Sequence, residues 1–225
     1  MVCISSRNLP GTSSAEKWNI GHNIIGSCEN LKEKGVSVNN PLGEALREAS
    51  GFLETAGYPY AVIGGLATQL WGEARFTYDV DIKVLAQNTD YATLRAAIQQ
   101  AFPEPGRPLV PTNPLIVSVK IGNVVVDFLL TIPGYEEQMI KRAVRMPLGE
   151  LLLPVCTPED LIIQKAIAGR PKDWQDIEGI VIEQRDRLDQ DYLQNWLSQF
   201  AEVLEQSHIL DKYHQLWLRA TDFTD

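Results

Sequence analysis

Residues 75–83, RFTYDVDIK, alternate between polar and apolar side chains along their whole length. A period of two is typical of a β-strand, because successive side chains point to opposite faces of the sheet. The pattern therefore predicts a strand over residues 75–83. Its apolar face carries Phe76, Tyr78, Val80 and Ile82.

The opposite face of this predicted strand carries two carboxylates, Asp79 and Asp81. Residues two apart lie about 6–7 Å from each other at their Cα atoms, so these like charges repel. A divalent cation removes that repulsion, and Mg²⁺ binds carboxylates together with substrate phosphates. A half-exposed strand with a merely solvated outer face is the alternative interpretation.

A third carboxylate, Asp127, interrupts the apolar run 124–130. Gly122-Asn123 before it is a hairpin signal and predicts strands at 116–121 and 124–131. A buried carboxylate is costly unless it is paired or bound to a metal. The alternative is a core aspartate that accepts hydrogen bonds from backbone N–H groups.

Two further features indicate anion binding. Gly64-Gly65 separates a predicted strand at 60–63 from a helix at 66–71, and such a turn lets backbone N–H groups approach a phosphate. Lys165 falls on the apolar face of a helix that Thr157 and Asp160 are expected to cap. Glycine for steric reasons and a lysine that snorkels to solvent are the alternatives.

The remaining periodicity completes an α/β fold, in which helices flank a mixed sheet and a helical region follows. Three domains are expected: an irregular N-terminal extension at 1–39, an α/β domain at 40–155 and a C-terminal helical region at 156–225. Helices are predicted at 41–57, 89–101 and 135–143, a last strand at 151–153, and four helices after residue 156. We interpret the late aromatic stripe as helix packing; it contains Trp196, Phe200 and Trp217.

Composition excludes several classes of protein. With 20 Lys and Arg against 29 Asp and Glu, the net charge is −9, which disfavours a broad nucleic-acid surface. No apolar run reaches the roughly 20 residues of a membrane span, and the first thirty residues lack the apolar core of a signal peptide. We expect a cytoplasmic protein with reduced thiols and no zinc site. The cysteines are Cys3, Cys28 and Cys156.

Gly64-Gly65, Asp79-Val80-Asp81 and Asp127 together resemble the nucleotidyltransferase superfamily typified by DNA polymerase beta. The stretch 75–81 and the later segment with Lys165, Gly169-Arg170-Pro171-Lys172-Asp173 and Asp176 narrow the resemblance. They are similar to minimal nucleotidyltransferases related to toxins of bacterial abortive-infection systems. The resemblance covers about residues 41–182.

The resemblance implies a fold, a reaction and a set of site residues. It implies transfer of a nucleoside monophosphate from an NTP to an acceptor hydroxyl, with Mg²⁺ or alternatively Mn²⁺ as cofactor. The metal ligands and catalytic residues would be Asp79, Asp81 and Asp127. The nucleotide-binding residues would be Gly64, Gly65, Arg75, Thr77 and Lys165. Asp173 and Asp176, on a helix beside the site, are expected to act in capping and as solvated helix surface.

The acceptor and partners stay open at this point. The acceptor is a small molecule, a protein side chain or an RNA end, and the acidic surface favours the first two. A toxin role, with an antitoxin or a second copy as partner, follows from the resemblance alone. Two other functions compete: a nucleotide-binding protein without transfer activity, and an interaction module built on the C-terminal helices.

Overall fold

A computed structural model of the chain describes residues 40–73, 75–86, 89–107, 113–148 and 150–222. Within these ranges a six-stranded mixed sheet is flanked by helices and is followed by further helices. The predicted α/β fold is confirmed. The extension predicted at 1–39, with Cys3 and Cys28, lies outside the described residues.

The elements follow one another along the chain with short connections. The strands are β1 (Tyr60–Val62), β2 (Asp79–Val84), β3 (Ile116–Ile121), β4 (Val124–Leu130), β5 (Val144–Leu148) and β6 (Leu151–Val155). The helices are α1 (Pro41–Ala56), α2 (Gly64–Trp71), α3 (Tyr91–Ala101), α4 (Tyr135–Arg142), α5 (Pro158–Ala168), α6 (Pro171–Gln184), α7 (Gln190–Val203) and α8 (His208–Asp222). A short 3₁₀ turn, Arg185–Arg187, joins α6 to α7.

The strand order across the sheet is β3-β4-β2-β1-β6-β5. β2 pairs in parallel with β4, and β1 in parallel with β6, whereas the other three pairs are antiparallel. The parallel register sets Asp81 directly opposite Asp127. The two strands that carry the predicted carboxylates are therefore neighbours in the middle of the sheet.

Helix ends follow the residues that the sequence offers. The Asn40 side chain accepts a hydrogen bond from the Gly43 amide at 2.9 Å, Pro41 opens α1, and Gly57 ends it at φ 71°. Thr157 caps α5 by accepting from the Asp160 amide at 3.2 Å. These caps supply partners for backbone groups that a helix end leaves unpaired, and the predicted positions of α1 and α5 are confirmed.

The strand predicted at 75–83 is wrong at its beginning, because β2 starts at Asp79. Residues 75–78 lie outside the strand pairing, which begins where Asp79 meets Val125 of β4. Val80 and Ile82 are fully buried as predicted, but Phe76 is 89% and Tyr78 84% exposed. Alternation therefore continues past the edge of the sheet, where no layer covers the apolar side chains.

Two other boundaries differ from the prediction. α2 begins at Gly64, directly after β1, and not at residue 66. Strand β5 was not predicted, and β6 extends beyond the predicted 151–153 to Val155. Pro147 and Pro154 lie in these two strands, and proline within a segment weakens a strand pattern because it donates no ladder hydrogen bond.

The helices after β6 pack on the same hydrophobic core as the sheet. The Trp71 indole of α2 donates to the Cys156 carbonyl at 2.8 Å, and the Gln184 side chain of α6 donates to the Trp71 carbonyl at 2.7 Å. Trp196 is buried and Phe200 and Trp217 pack against the core, so the predicted packing role of this stripe is confirmed.

Cys156 is a free, buried thiol whose pKa burial raises, in agreement with a reduced structural cysteine. Among the helices of the described ranges, none combines the length and apolar character needed to cross a membrane.

Candidate functional site

The site is built around the three predicted aspartates, which the structure brings together. Asp79 and Asp81 lie two residues apart on β2, so both side chains project from the same face. Asp127 on β4 is paired in register with Asp81 and shares that face. The parallel pairing of β2 with β4 thus collects three carboxylates that are far apart in the sequence.

The outer part of this group is held by Arg107 and Thr77. One nitrogen of the Arg107 guanidinium, Nη2, contacts Oδ2 of Asp79 at 3.1 Å and Oδ2 of Asp127 at 2.9 Å. The Thr77 hydroxyl donates to Oδ1 of Asp79 at 3.0 Å. Asp79 and Asp127 are therefore joined by a single positive charge, and Thr77 orients the Asp79 carboxylate.

Asp81 is the carboxylate that the folded chain stabilises least. Burial, reinforced by the negative charges of Asp79 and Asp127, raises its pKa to about 6. Arg107 and Lys165 act in the opposite direction with smaller effect. A side chain in this state gains from any additional positive charge placed between the three carboxylates.

Gly64 and Gly65 lie against the carboxylate face because they have no side chains. A Cβ at Gly64 would collide with the Asp81 carboxylate, and a Cβ at Gly65 would collide with Thr77. Gly64 also adopts φ 64°, a left-handed conformation that favours glycine. The start of α2 therefore approaches the aspartates more closely than any other residue type would allow.

Positive charge is held beside the aspartates by two carboxylates of α6. Arg75 makes two hydrogen bonds to Asp176 at 2.9 and 3.1 Å, and Lys165 contacts the same carboxylate at 2.5 Å. These ion pairs outweigh burial and lower the pKa of Asp176. The predicted nucleotide-binding residues Arg75 and Lys165 are thus fixed within the structure rather than extended into solvent.

Asp173 acts in the same network. It accepts from the Arg170 backbone amide and from its guanidinium, and this bonding, with a smaller contribution from Asp81, raises the pKa of Arg170. The capping role predicted for Asp173 is confirmed. The solvated surface predicted for Asp173 and Asp176 is wrong, because both side chains are buried and hold cations.

The donor chemistry of the site fits a hard divalent cation. Oδ1 of Asp127 is buried and has no hydrogen-bond partner among the described residues, and neither has Oγ of Ser118, which is paired with Asp127 across β3 and β4. A buried oxygen without a partner is costly, and a cation would satisfy it. As the described side chains now stand, no group of three or more His, Cys, Asp or Glu residues is close enough to hold a metal ion.

Three residues at this site were not assigned a role from the sequence. Arg107 lies in a proline-rich loop, and no spacing rule connects that loop to β4. Ser118 is one polar residue on a hairpin strand, and Arg170 was part of the recognised segment without a function. A basic residue beside Gly106 in a Pro-rich loop was the available signal for Arg107, and it is a weak one.

A second group of charged side chains lies away from the sheet face, between α4, α5 and α7. Asp160 accepts hydrogen bonds from Thr157, Tyr135, Tyr192 and Arg142 at 2.9, 3.1, 2.8 and 3.1 Å. The Arg142 guanidinium also lies 3.8 Å above the Tyr192 ring. Asp160 is fully buried, and each of its oxygens accepts from donors of the fold.

Comparison with known proteins agrees with the chemistry of the three aspartates. Residues 43–214 match the model of a family described as a nucleotidyl transferase of unknown function, DUF2204. The chain belongs to this nucleotidyl transferase family. The membership inferred from Gly64-Gly65 and the aspartates is confirmed. No curated protein matches the chain.

Two solved structures resemble the family member described here. One is an antigenic nucleotidyltransferase-like protein from Paracoccidioides brasiliensis, with 19% identity, 76% of this chain and 93% of that chain covered, and a TM-score of 0.47. The other is the antibiotic-resistance factor ANT(2'')-Ia, with 16% identity, 72% and 94% covered, and a TM-score of 0.48. At this distance neither structure assigns a role to a residue of this chain.

Proposed function

We propose that the chain transfers a nucleoside monophosphate from a nucleoside triphosphate to an acceptor hydroxyl and releases pyrophosphate. The observation that carries this proposal is the convergence of Asp79, Asp81 and Asp127 on one face, directly against Gly64. The fold leaves these carboxylates with a mutual repulsion and a buried oxygen without a partner. Side chains in that state are suited to a cation and to a polyphosphate that arrives with it.

The proposal assigns a role to each group on the face. Asp79, Asp81 and Asp127 would hold Mg²⁺ or Mn²⁺, which supplies Lewis-acid stabilisation of charge on the phosphates. The backbone of Gly64 and Gly65 would approach the triphosphate, and Thr77 would keep Asp79 oriented. Lys165 and Arg75 would offset phosphate charge while Asp176 holds them in place. Most of the rate enhancement would come from positioning and charge stabilisation.

The bond changes follow from this arrangement. The acceptor oxygen attacks the α-phosphorus, the bond from that phosphorus to the bridging oxygen of the β-phosphate breaks, and pyrophosphate leaves. Oδ1 of Asp127, which lacks a hydrogen-bond partner in the described structure, is the atom that we propose takes the hydroxyl proton. The nature of the acceptor is a prediction that the chain's geometry leaves open.

Substitution of Asp79 tests the proposal. The purified protein is incubated with each α-labelled triphosphate, Mg²⁺ and whole-cell extract, and pyrophosphate and labelled product are measured. Asp79→Asn should lower the rate by about a hundredfold or more, because even residues that only support a metal ligand cost 10–100-fold. Asp211→Asn is the matched control, since Asp211 is exposed on α8. Equal turnover in Asp79→Asn and wild type contradicts the proposal.

The competing function, nucleotide binding without transfer, gives a different result in the same assay. It predicts that calorimetry detects tight triphosphate binding while no acceptor gains label. A chain that binds no triphosphate would instead favour an interaction module.

The toxin role has its support in the sequence resemblance. It predicts that expression of the wild-type chain arrests bacterial growth and that Asp79→Asn does not. Equal growth arrest by both proteins would contradict it.

A further inference from the structure

Arg107 contacts the carboxylate pair in a way that a bound cation would replace. Its Nη2 lies 3.1 Å from Asp79 and 2.9 Å from Asp127, between two oxygens of opposite strands. Arginine has donors and no acceptor, so it satisfies carboxylates but cannot ligate a metal. The same Asp79 and Asp127 oxygens therefore cannot serve Arg107 and a divalent cation at once.

The loop that carries Arg107 is fixed to the sheet through its backbone. The Gly106 amide donates to the Ser118 carbonyl at 3.1 Å, and the Lys120 amide donates to the Glu104 carbonyl at 2.7 Å. Pro105 forms a bridge with Val119, and a Cβ at Gly106 would collide with the Val119 carbonyl. The loop backbone thus follows β3 closely, at the position where Ser118 is paired with Asp127.

The side chain of Arg107 is free of comparable restraint. It is 54% exposed, whereas the Asp127 side chain that it contacts is 12% exposed. A half-exposed ion pair contributes little to stability and can exchange readily. The backbone ties therefore keep the guanidinium close to the site while its side chain can move from one anion to another.

We propose that Arg107 is an internal competitor of the divalent cation, and that it transfers to the triphosphate when the cation binds. This inference rests on the proposed function. In the cation-free protein Arg107 bridges Asp79 and Asp127 and lowers their repulsion. Binding of the cation takes these oxygens, and the released guanidinium pairs with phosphate oxygens, for which its fork of donors is well suited.

This exchange makes cation and triphosphate bind cooperatively. A cation that arrives alone has to displace Arg107 without offering it a new partner, whereas a triphosphate supplies one. Coupling of this kind is reciprocal, so each ligand should strengthen the binding of the other. Removal of the guanidinium should strengthen cation binding in the absence of nucleotide and weaken the coupling.

The test measures Mn²⁺ affinity by calorimetry, with and without a non-hydrolysable triphosphate. Arg107→Met should bind Mn²⁺ alone about three- to tenfold more tightly than wild type, the range expected for loss of a half-exposed ion pair. Its gain in Mn²⁺ affinity on adding the triphosphate should be smaller by a similar factor. Arg145→Met is the matched control: it removes another exposed arginine, on the β5 edge at the far end of the sheet.

Thermal melting provides a second readout on the same proteins. In chelator, Arg107→Met should melt at a lower temperature than wild type, and Mn²⁺ should raise its melting temperature more than that of wild type. Equal Mn²⁺ affinity in wild type and Arg107→Met, with normal pyrophosphate release, overturns the inference and leaves the proposed function intact. Absence of Mn²⁺ binding and of pyrophosphate release in wild type overturns both.

Discussion

The carboxylates of Asp79, Asp81 and Asp127 and the carboxylate of Asp160 are surrounded in opposite ways. Asp160 is fully buried and accepts four hydrogen bonds, one of them from Arg142. The three aspartates share one guanidinium, repel each other and include a buried oxygen without a partner in the described structure. Burial of a carboxylate is thus no sign of function by itself, and what separates the two groups is whether the fold supplies the partners.

The comparison predicts its largest effect on stability at Asp160. Asp160→Asn should lower the free energy of unfolding by about 3–5 kcal/mol, because it leaves the Arg142 charge buried without its partner. Asp127→Asn should change it by less than about 1 kcal/mol, since it removes a half-exposed pair together with a repulsion. Urea unfolding of both variants measures the difference. A larger loss in Asp127→Asn would mean that the open group also holds the fold together.

A smaller and pH-dependent effect is expected at Asp176, which lies beside the open group but is fully paired. Its pKa is lowered in the folded protein, so its stabilisation is present above the unfolded value and is lost as pH falls through the folded value. Asp176→Asn should cost about 2–3 kcal/mol at neutral pH because Lys165 loses its closest partner. The gap from wild type should close between about pH 5 and pH 2.

Urea unfolding across that pH range checks the prediction. Asp211→Asn serves as control, since Asp211 is exposed and should show little difference from wild type at any pH. A gap for Asp176→Asn that stays constant down to pH 2 would show that the stabilisation does not come from its ionised form.

The smallest effect separates the partners of Asp160 from one another. Tyr192→Phe removes one hydrogen bond of 2.8 Å to a charged acceptor and should cost about 1–2 kcal/mol. Tyr213→Phe is the matched control, because the Tyr213 hydroxyl donates to the neutral Gln190 side chain at 3.1 Å. Its cost should be about half as large, since hydrogen bonds to charged groups are about twice as strong. Equal costs in thermal or urea unfolding would contradict the assigned role of the Asp160 charge.

Local signals in the sequence predicted much of the fold. Asn40-Pro41, Gly57 and Thr157 mark helix ends at the observed positions, because a cap depends on one or two neighbouring residues. Gly122-Asn123 similarly predicts the β3–β4 hairpin, where Gly122 adopts φ 57°. Such features need no knowledge of the rest of the chain.

The features that the sequence did not predict depend on distant partners. Phe76 and Tyr78 continue the alternation of β2, yet they are exposed because no strand pairs with residues 75–78. Strand β5 exists because β6 offers it an antiparallel partner, despite Pro147 in its interior. Alternation describes which way side chains point, and only the assembled sheet determines what covers them.

The same limit applies to the candidate site. The three aspartates, Gly64 and Gly65 could be proposed from residue type and spacing, because their chemistry is unusual for a strand and a turn. Arg107 reaches them through the backbone pairing of its loop with β3, which leaves no trace in residue spacing. The buried pairing of Asp176 with Arg75 and Lys165 was hidden for the same reason.

The contact of the 104–107 loop with β3 also protects the protein from self-association. β3 is the outer strand of the sheet, and an uncovered outer strand can recruit a strand from another molecule. Here the Ser118 carbonyl and the Lys120 amide are already engaged by the loop, so a foreign strand finds these positions taken. Since this cover is made by backbone atoms, the Arg107 side chain can change partners without exposing the strand to aggregation.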